Sequence, residues 1–466
     1  MIKKIFKLLV FLSVLILALI LRKKDYAQIP IPGQSVDEYS YSWVGLSLLE
    51  TGMPIGISGI PGYQHQYSKY INIDRLYQTL SSDPLSINYP WMDHPPLLGL
   101  ITGGYAYLSG ARVFEDTTAL LIRRPIIIIG TISVALLMIY VWINFSYITS
   151  ILAGLIYATT PLVVLSSRMI QAENAIIPCL LAAMICLSLF FKNKKDIWLI
   201  LAGVISGIAT LFKLTGVVCY LFVFLSLLYQ NGKFNQKFFK DFGFYLLVSL
   251  PISALFVFYG LAYGSKNFFA ILFSNANRFY GIGPSAIIDL IRNQRLTQHK
   301  FLPEIWLIVG WFTFMFSALK KKQSPASFLI FISLISYLII YLFFGSQPYG
   351  WYTFPFWPLL ILSLVSFFYD SLKKENNILL AFFISLTILG SNISRVIGIF
   401  DFQPIANLWR LIIPGAFFLL VINYVQKKSH HFFFKGLIIL FLLIAIYFNL
   451  RYLNLINIDF WWQNIS

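Results

Sequence analysis

Residues 8–41 read LLVFLSVLILALILRKKDYAQIPIPGQSVDEYSY, an apolar run followed by basic residues and then by a polar, aromatic segment. The run from Leu8 to Leu21 has lysines before it but no small-residue cleavage site after it, so it predicts an uncleaved first membrane span with a cytoplasmic start. Beyond it stand two adjacent acids, Asp37 and Glu38, where the chain first meets water. This pair is either ordinary loop polarity or the centre of a reaction.

The composition is that of a protein that crosses the membrane many times. The 466 residues are 58% hydrophobic, 18% aromatic and only 11% charged, which excludes a soluble globular protein. The apolar blocks are about 16–23 residues long, enough to cross a hydrocarbon core of roughly 30 Å as helices. About thirteen such blocks predict an all-α polytopic bundle, with the twelve that follow the first span at about 119–143, 148–166, 174–191, 197–212, 214–230, 242–262, 304–319, 325–345, 355–370, 377–393, 405–424 and 433–450.

The basic residues indicate the orientation. The net charge is +17, and when the spans alternate from a cytoplasmic N-terminus, every short lysine cluster except Lys23-Lys24 falls on the cytoplasmic side. The chain then forms one integral membrane domain over 1–466, with large extracytoplasmic loops at 22–118 and 263–303 and no separate soluble domain. In the first loop we expect a helix that begins at Pro95, is N-capped by Asp93, and lies along the membrane surface.

The arginines gather on the opposite side from the lysines. Guanidinium groups hold phosphates in a bidentate manner, so this placement favours a phosphate-bearing ligand at the outer face. The alternative is that long outer loops tolerate arginine and that anionic headgroups attract it. The set includes Arg112, Arg123, Arg124, Arg168, Arg278 and Arg395.

Several polar residues at the same face have both a structural and a functional interpretation. Asp93 and His94 could be a helix cap and a surface residue, and Glu173 could simply pair with Arg168. Lys213 is the hardest to explain structurally, because it separates two short apolar runs where an amine without a partner would be costly. A carboxylate here could act as a general base while basic groups neutralise a departing phosphate.

Other classes of site are not supported by the sequence. It contains no Walker A loop, no GxGxxG fingerprint, no HExxH and no GxSxG motif, so nucleotide-driven chemistry and the common hydrolase sites are unsupported. The three cysteines, Cys179, Cys186 and Cys219, lie inside apolar spans and predict buried thiols. The remaining interpretation is group transfer from a phospholipid-like donor.

The order of these motifs resembles the membrane glycosyltransferases of the GT-C fold, in particular the protein O-mannosyltransferase and lipid A aminoarabinose transferase branch. The resemblance covers about the first 280 residues. It is carried, in order, by Asp37-Glu38-Tyr39, Asp93-His94-Pro95-Pro96-Leu97, Arg123-Arg124-Pro125, Ser167-Arg168 with Glu173, and Thr210-Leu211-Phe212-Lys213.

The resemblance implies roles for individual residues. Asp37 is the expected catalytic base with Glu38 beside it, and Asp93 and Glu173 are expected active-site acids. Phosphate or donor contacts are implied for His94, Lys213, Arg278, Arg123 and Arg124. His94 stands where the aminoarabinose branch usually has lysine. Some relatives place a histidine shortly before the residue matched by Arg278, where this chain has Ser274 and Asn275, so a divalent metal held by Asp93, Glu173 and His94 stays open.

The expected function is that of an inverting glycosyltransferase of the cell envelope. It would move a sugar from a polyprenyl-phosphate donor to a hydroxyl of a lipid, glycan or protein at the extracytoplasmic face of a bacterial or archaeal plasma membrane, with no nucleic-acid partner. Two alternatives remain at this point. One is a flippase or transporter of polyprenyl-linked sugars, although no symmetric halves are visible. The other is an O-antigen ligase or polymerase.

Overall fold

A computed structural model of the chain describes most of its length. The described residues are 2–35, 37–60, 63, 65–69, 85–277, 285–292, 294–298, 300–320, 323–344, 349–374, 377–397, 403–426 and 431–464.

The described chain is almost entirely helical, as predicted. Its α-helices are α1 (Ile2–Lys23), α2 (Asp37–Thr51), α3 (Leu97–Leu108), α4 (Ala119–Ile122), α5 (Arg124–Asn144), α6 (Tyr147–Thr159), α7 (Pro161–Ser166), α8 (Ala172–Asn193), α9 (Asp196–Phe212), α10 (Val218–Asn231), α11 (Gln236–Ala262), α12 (Ser265–Ala276), α13 (Ser285–Arg292), α14 (Ile305–Ala318), α15 (Pro325–Phe344), α16 (Phe356–Lys374), α17 (Ile378–Ile397), α18 (Gln403–Gln426), α19 (His431–Leu455) and α20 (Ile458–Asn464). Short 3-10 turns lie at Phe114–Asp116, Leu214–Val217 and Gly350–Thr353.

Each predicted span coincides with one helix or with two joined helices. Within the described residues, nine helical stretches are long and apolar enough to cross a membrane. Four shorter apolar helices of 10–17 residues accompany them: α3, α6, α9 and α14. The predicted span at 148–166 is broken into α6 and α7 at Thr160-Pro161, because a proline fits the first turn of a new helix better than a helix interior. The number of helices that actually cross the membrane stays a prediction.

A small antiparallel sheet in the first loop was not predicted. Its strands are β1 (Gly56–Ile57), β2 (His65–Lys69) and β3 (Leu85–Tyr89), with β3 in the centre. Asn88 of β3 faces Gly56 of β1 and Gln66 of β2. The segment that carries Asp93 and His94 follows directly after β3.

The helix after this segment begins two residues later than predicted. α3 starts at Leu97, and its N-cap is Pro96, which makes no side-chain cap hydrogen bond. The predicted N-cap role of Asp93 is therefore wrong. The helix starts too far beyond Asp93 for this carboxylate to occupy the N-cap position, and no side chain caps the first N–H groups of α3.

Helices α2 and α3 cross in backbone contact. A Cβ atom added to Gly45 would lie 1.8 Å from the carbonyl oxygen of Gly99, and one added to Gly103 would lie 2.1 Å from that of Ser42. Gly99 and Gly103 are four residues apart and so share one face of α3, as in the small-residue crossings of membrane helices. Ser42 and Thr102 add a side-chain hydrogen bond of 3.1 Å across the crossing. This contact fixes the start of α2 relative to Asp93 and His94.

We expect Gly45→Ala to force the two helices apart, because the new methyl group meets backbone and not a flexible side chain. Overpacking of this kind should cost about 1–3 kcal/mol of stability. Thermal unfolding of the purified protein in detergent measures it. Gly104→Ala is the matched control on α3, since its Cβ would meet only the end of the Leu49 side chain at 3.3 Å. An equal loss of stability in both variants would contradict the proposed role of the crossing.

Several of the arginines predicted at the outer face form hydrogen bonds or ion pairs with other groups of the protein. Arg168 donates to the carbonyl oxygens of Ile29 (2.9 Å) and Leu21 (2.8 Å), not to Glu173, so the structural interpretation of Arg168 and Glu173 as a pair is wrong. A guanidinium group offers five donors in a fixed fork, which suits the uncapped carbonyls at the end of α1. Further along the chain, Arg395 pairs with Glu304 at 2.9 Å. The two Arg168 contacts tie down the turn between α1 and α2.

Candidate functional site

Tyr41 marks the centre of the candidate site. Its side chain is buried one turn after Asp37 on α2, with its ring stacked on His94 (centroids 5.7 Å apart) and edge-on to Trp91 (5.8 Å). Burial raises the pKa of the Tyr41 phenol well above its usual range, and the negative charges of Asp37, Glu173 and Asp93 raise it further. Three acids from three separate parts of the sequence therefore converge on this one side chain.

Asp37 is the first residue of α2 and is half-buried. Its placement in a first helical turn is favourable for a carboxylate, because the helix dipole is positive there. Since Asp37 and Tyr41 are four residues apart, both side chains lie on the same face of α2. Asp37 is therefore held beside the other acids at the end of the bundle that carries the first loop, which we call the loop end.

Glu173 and Lys213 form a buried ion pair at the loop end. The Lys213 Nζ atom lies 2.6 Å from Glu173 Oε1, and the two side chains are 6% and 0% exposed. Lys213 follows the last residue of α9 in an extended conformation. A Cβ on Gly216 would lie 2.2 Å from the Ala209 carbonyl oxygen, so glycine allows the next turn to fold back on α9. Lys213 was the hardest residue to explain structurally from the sequence. It has an ion-pair partner, Glu173, 40 residues away in the chain.

An aromatic ring covers the other side of Lys213. Its Nζ atom lies 4.2 Å from the centre of the Tyr352 ring, in the 3-10 turn Gly350–Thr353. The Tyr337 hydroxyl donates to the Tyr352 carbonyl oxygen at 2.8 Å and so holds this turn in place. Lys213 has three N–H donors, and among the described residues Glu173 accepts one of them.

Asp93 and His94 lie in the segment between β3 and α3. The Tyr63 hydroxyl donates to Asp93 Oδ1 and accepts from the Met92 amide at 2.9 Å. The Asn275 side-chain amide donates to the Asp93 carbonyl oxygen at 2.9 Å. Burial and the Asp93 carboxylate raise the pKa of Tyr63, so the phenol stays protonated and remains a donor to this acid. Asp93 is thereby fixed at the edge of the site.

Glu38 and Arg123 form a second buried ion pair, behind Asp37. Arg123 Nε and Nη2 lie 2.5 and 2.9 Å from the two Glu38 carboxylate oxygens, and both side chains are at most 3% exposed. Arg123 Nη1 donates to the carbonyl oxygens of Tyr26 and Pro30, each at 2.7 Å. The Gly33 amide donates to Glu38 at 3.3 Å. The pair holds the turn that leads into α2.

We expect Glu38→Gln to leave the buried Arg123 charge without a compensating anion. Breaking a buried ion pair in this way should cost about 3–5 kcal/mol of stability. Glu50→Gln is the matched control, because Glu50 lies on the same helix and pairs with Arg112 across 3.5 Å where both side chains are at least 36% exposed. Thermal unfolding should show a large loss for Glu38→Gln and little change for Glu50→Gln. Equal effects would contradict the structural role of Glu38.

One predicted phosphate contact stands apart from this cluster. Arg124 is exposed and reaches the hydroxyls of Tyr26 (3.2 Å) and Tyr105 (3.4 Å). Arg278 lies outside the described residues.

Within the described ranges, no group of three or more His, Cys, Asp or Glu side chains is placed to hold a metal ion. Asp93, His94 and Glu173 therefore do not form a metal-binding set there.

Sequence reasoning missed the tyrosines of the site. Tyr41 could have been found from its spacing of four residues after Asp37 within a helix that starts at the acid pair. Tyr63 and Tyr352 carried no such signal, because their roles depend on contacts with residues 30 and 139 positions away in the chain.

Comparisons with known proteins give the fold. Residues 93–273 match the model of the family described as dolichyl-phosphate-mannose-protein mannosyltransferase. No curated protein matches the chain significantly. Similar solved structures include three that are 12–13% identical to this chain. They are ArnT from Cupriavidus metallidurans bound to undecaprenyl phosphate (12% identity, TM-score 0.50, 97% of this chain and 76% of that one), the Archaeoglobus fulgidus oligosaccharyltransferase (13%, 0.52, 95% and 55%) and the arabinosyltransferase EmbB from Mycobacterium smegmatis (13%, 0.55, 97% and 41%).

These matches agree with the helical bundle and with the sequence resemblance. The apolar helices and the similar membrane proteins make the chain an integral, multi-pass membrane protein. The chain therefore has the GT-C fold of membrane glycosyltransferases, and its residues 93–273 match the dolichyl-phosphate-mannose-protein mannosyltransferase family.

Proposed function

We propose that the protein is an inverting glycosyltransferase that moves a sugar from a polyprenyl-phosphate donor to a hydroxyl acceptor. The observation that carries this proposal is the convergence of Asp37 and the Glu173–Lys213 pair around Tyr41 at the loop end. A carboxylate to accept a proton and an ammonium group to neutralise a phosphate are the two groups that this reaction needs. We place the site on the extracytoplasmic face of a bacterial or archaeal plasma membrane, with the N-terminus in the cytoplasm.

In the proposed step Asp37 takes the proton of the acceptor hydroxyl. The acceptor oxygen forms a bond to the anomeric carbon as the bond from that carbon to the phosphate oxygen breaks, and the electron pair leaves with the phosphate. Attack from the face opposite the phosphate inverts the anomeric configuration. Lys213 stabilises the charge on the departing polyprenyl phosphate, while Glu173 and the Tyr352 ring hold the ammonium group in position.

The comparisons support a lipid-linked donor. The description of the matching family names a dolichyl-phosphate sugar as the donor, dolichyl-phosphate-mannose. The similar ArnT structure was determined with undecaprenyl phosphate. Both are long isoprenoid chains with a phosphate head. The acceptor is not indicated by these matches, so lipid, glycan and protein hydroxyls remain candidates. The family match does not favour a flippase or transporter. It also does not favour an O-antigen ligase or polymerase.

The test is a transfer assay with the purified protein in proteoliposomes. The donors are polyprenyl phosphates that carry labelled mannose, arabinose or aminoarabinose, offered together with membrane extracts as the source of acceptors. We expect labelled product whose anomeric configuration is opposite to that of the donor. Movement of an intact donor across the bilayer without transfer would contradict the enzyme and favour a transporter. Retention of configuration would contradict the single-step mechanism.

A further inference from the structure

Glu304 is a buried acid that the proposed reaction does not use. Its side chain is fully buried, and the residue is the N-cap of α14. Its Oε2 atom lies 2.9 Å from Nη1 of Arg395 on α17, and Arg395 Nη2 donates to the Pro303 carbonyl oxygen. Apolar side chains often stabilise a fold as well as a buried ion pair does, so stability alone does not explain this pair.

The other carboxylate oxygen of Glu304 is connected to Glu173 through α7. Glu304 Oε1 accepts the Leu162 amide at 3.2 Å, in the first turn of α7, where an N–H group has no partner within its own helix. At the other end of this short helix, the Asn174 side-chain amide donates to the Ser166 carbonyl oxygen at 2.8 Å. Asn174 directly follows Glu173 in α8. Helix α7 therefore links Glu304 to the acid of the candidate site.

Glu304 also anchors the loop that precedes α14. Its backbone N–H donates to Gln294 Oε1 at 2.5 Å, and Gln294 Nε2 donates back to the Glu304 carbonyl oxygen at 3.3 Å. The Leu302 amide donates to the Gln294 carbonyl oxygen at 3.0 Å. Because Arg395 binds both the Glu304 side chain and the Pro303 carbonyl oxygen, it fixes the base of this loop.

The loop rests against the turn that carries the ring over Lys213. A Cβ atom added to Gly350 would lie 2.4 Å from the carbonyl oxygen of Arg295, the residue after Gln294. Gly350 begins the 3-10 turn that includes Tyr352, and the centre of the Tyr352 ring lies 4.2 Å from Lys213 Nζ. The backbone of the loop is therefore in direct contact with the turn, and close packing transmits a shift of one to the other.

We propose that Glu304 and Arg395 are positioning residues for the Lys213 ammonium group. The inference rests on the proposed function and extends it to residues in the second half of the chain. One set of contacts runs from Glu304 through α7 to Glu173, and the other runs through the loop and the turn to Tyr352. Because both neighbours of Lys213 are anchored in this way, the amine is held at one place relative to the departing phosphate.

The test is the double variant Glu304→Met with Arg395→Met. Removing both charges leaves neither one unpaired, so thermal stability should stay close to that of the wild type. The Leu162 amide loses its acceptor and the loop loses its guanidinium contact, so Lys213 is no longer held in place. Misplacement of a reacting group by about 1 Å can cost 10²-fold in rate, and we expect kcat for sugar transfer to fall by about 10- to 10²-fold.

The double variant Lys320→Met with Asp370→Met is the matched control. This pair is 3.2 Å apart and lies at the opposite end of α14 from Glu304, where Lys320 follows the helix and Asp370 belongs to α16. The control should keep the wild-type kcat. An unchanged kcat in Glu304→Met with Arg395→Met would overturn the positioning role, and so would a loss of transfer no larger than the loss of folded protein.

Dependence on Lys213 distinguishes positioning from a general effect on the fold. In a chain that already carries Lys213→Met, transfer should be about 10²–10³-fold below the wild type. Adding Glu304→Met and Arg395→Met should lower this remaining rate by no more than about twofold, because the pair acts through the amine. A further loss as large as that in the wild-type background would contradict the proposal.

Hydrogen exchange of the backbone amides is a second measurement, and it needs no substrate. Residues 162–166 and 349–353 should exchange faster in Glu304→Met with Arg395→Met than in the wild type. Unchanged exchange in both segments would show that the pair does not anchor them. If the wild type transfers no sugar from any donor, the proposed function fails, and the exchange rates still decide whether the pair anchors these segments. If the wild type transfers sugar and the double variant keeps its kcat, only the positioning role fails.

Discussion

Asp37→Asn should abolish sugar transfer while the protein still folds. The amide has the size of the carboxylate but cannot accept the proton of the acceptor hydroxyl. General bases typically contribute about 10² to 10⁴-fold to rate, and we expect a loss of kcat in that range. Binding of polyprenyl phosphate should change little, since Lys213 and its partners are untouched. Initial rates with the labelled donor, normalised to purified protein, measure the effect.

Asp25→Asn is the matched control for this change. Asp25 lies in the turn between α1 and α2, is exposed, and has a backbone φ of 50°, a conformation that asparagine accepts readily. The variant makes the same acid-to-amide exchange 12 positions before Asp37. It should keep the wild-type rate. Full activity of Asp37→Asn at a normal protein level would remove Asp37 from the role of base.

Lys213→Met should have the second large effect, on both activity and stability. It removes the charge that we place at the departing phosphate, a kind of contact worth about 10²–10³-fold in rate. It also leaves Glu173 buried without its 2.6 Å partner, which should cost about 3–5 kcal/mol of stability. Lys320→Met is the control, because Lys320 pairs with Asp370 at 3.2 Å where both side chains are partly exposed. That variant should lose little of either property.

A double variant separates the two effects of Lys213. Lys213→Met combined with Glu173→Met removes both buried charges, and apolar replacement of a buried ion pair is often neutral or stabilising. Thermal stability should therefore return close to that of the wild type while transfer stays lost. Recovery of transfer along with stability would show that Lys213 acts only on the fold.

The sequence allowed the helices to be predicted because a membrane span needs little tertiary information. Length and apolar character are local properties, so nearly every span from α1 to α19 was placed to within a few residues. Proline can start a helix or interrupt one. The sequence alone therefore did not show the helix break at Thr160-Pro161 or the exact start of α3. The close crossing of α2 and α3 was not predicted, because only the structure shows that Gly99 and Gly103 approach the backbone around Gly45.

The residues of the candidate site could be selected from the sequence, but their interaction partners could not. Asp37, Glu173 and Lys213 were each selected from the sequence, and the structure brings them to one end of the bundle. The two buried ion pairs join residues far apart in the chain, Glu173 with Lys213 across 40 positions and Glu38 with Arg123 across 85. Arg123 was expected at a phosphate and instead binds Glu38 and two carbonyl groups. Guanidinium groups donate to carbonyls, carboxylates and phosphates alike, so residue type alone cannot choose among these partners.

The most direct test of the proposed reaction is a cryo-EM structure of the protein with its polyprenyl-phosphate sugar donor in the absence of acceptor. The predicted result is a phosphate whose oxygens contact Lys213 Nζ, with the sugar within reach of Asp37. Asp37 should face the side of the anomeric carbon opposite the phosphate. A donor phosphate bound away from Lys213, with the sugar beyond the reach of Asp37, would contradict the proposed site.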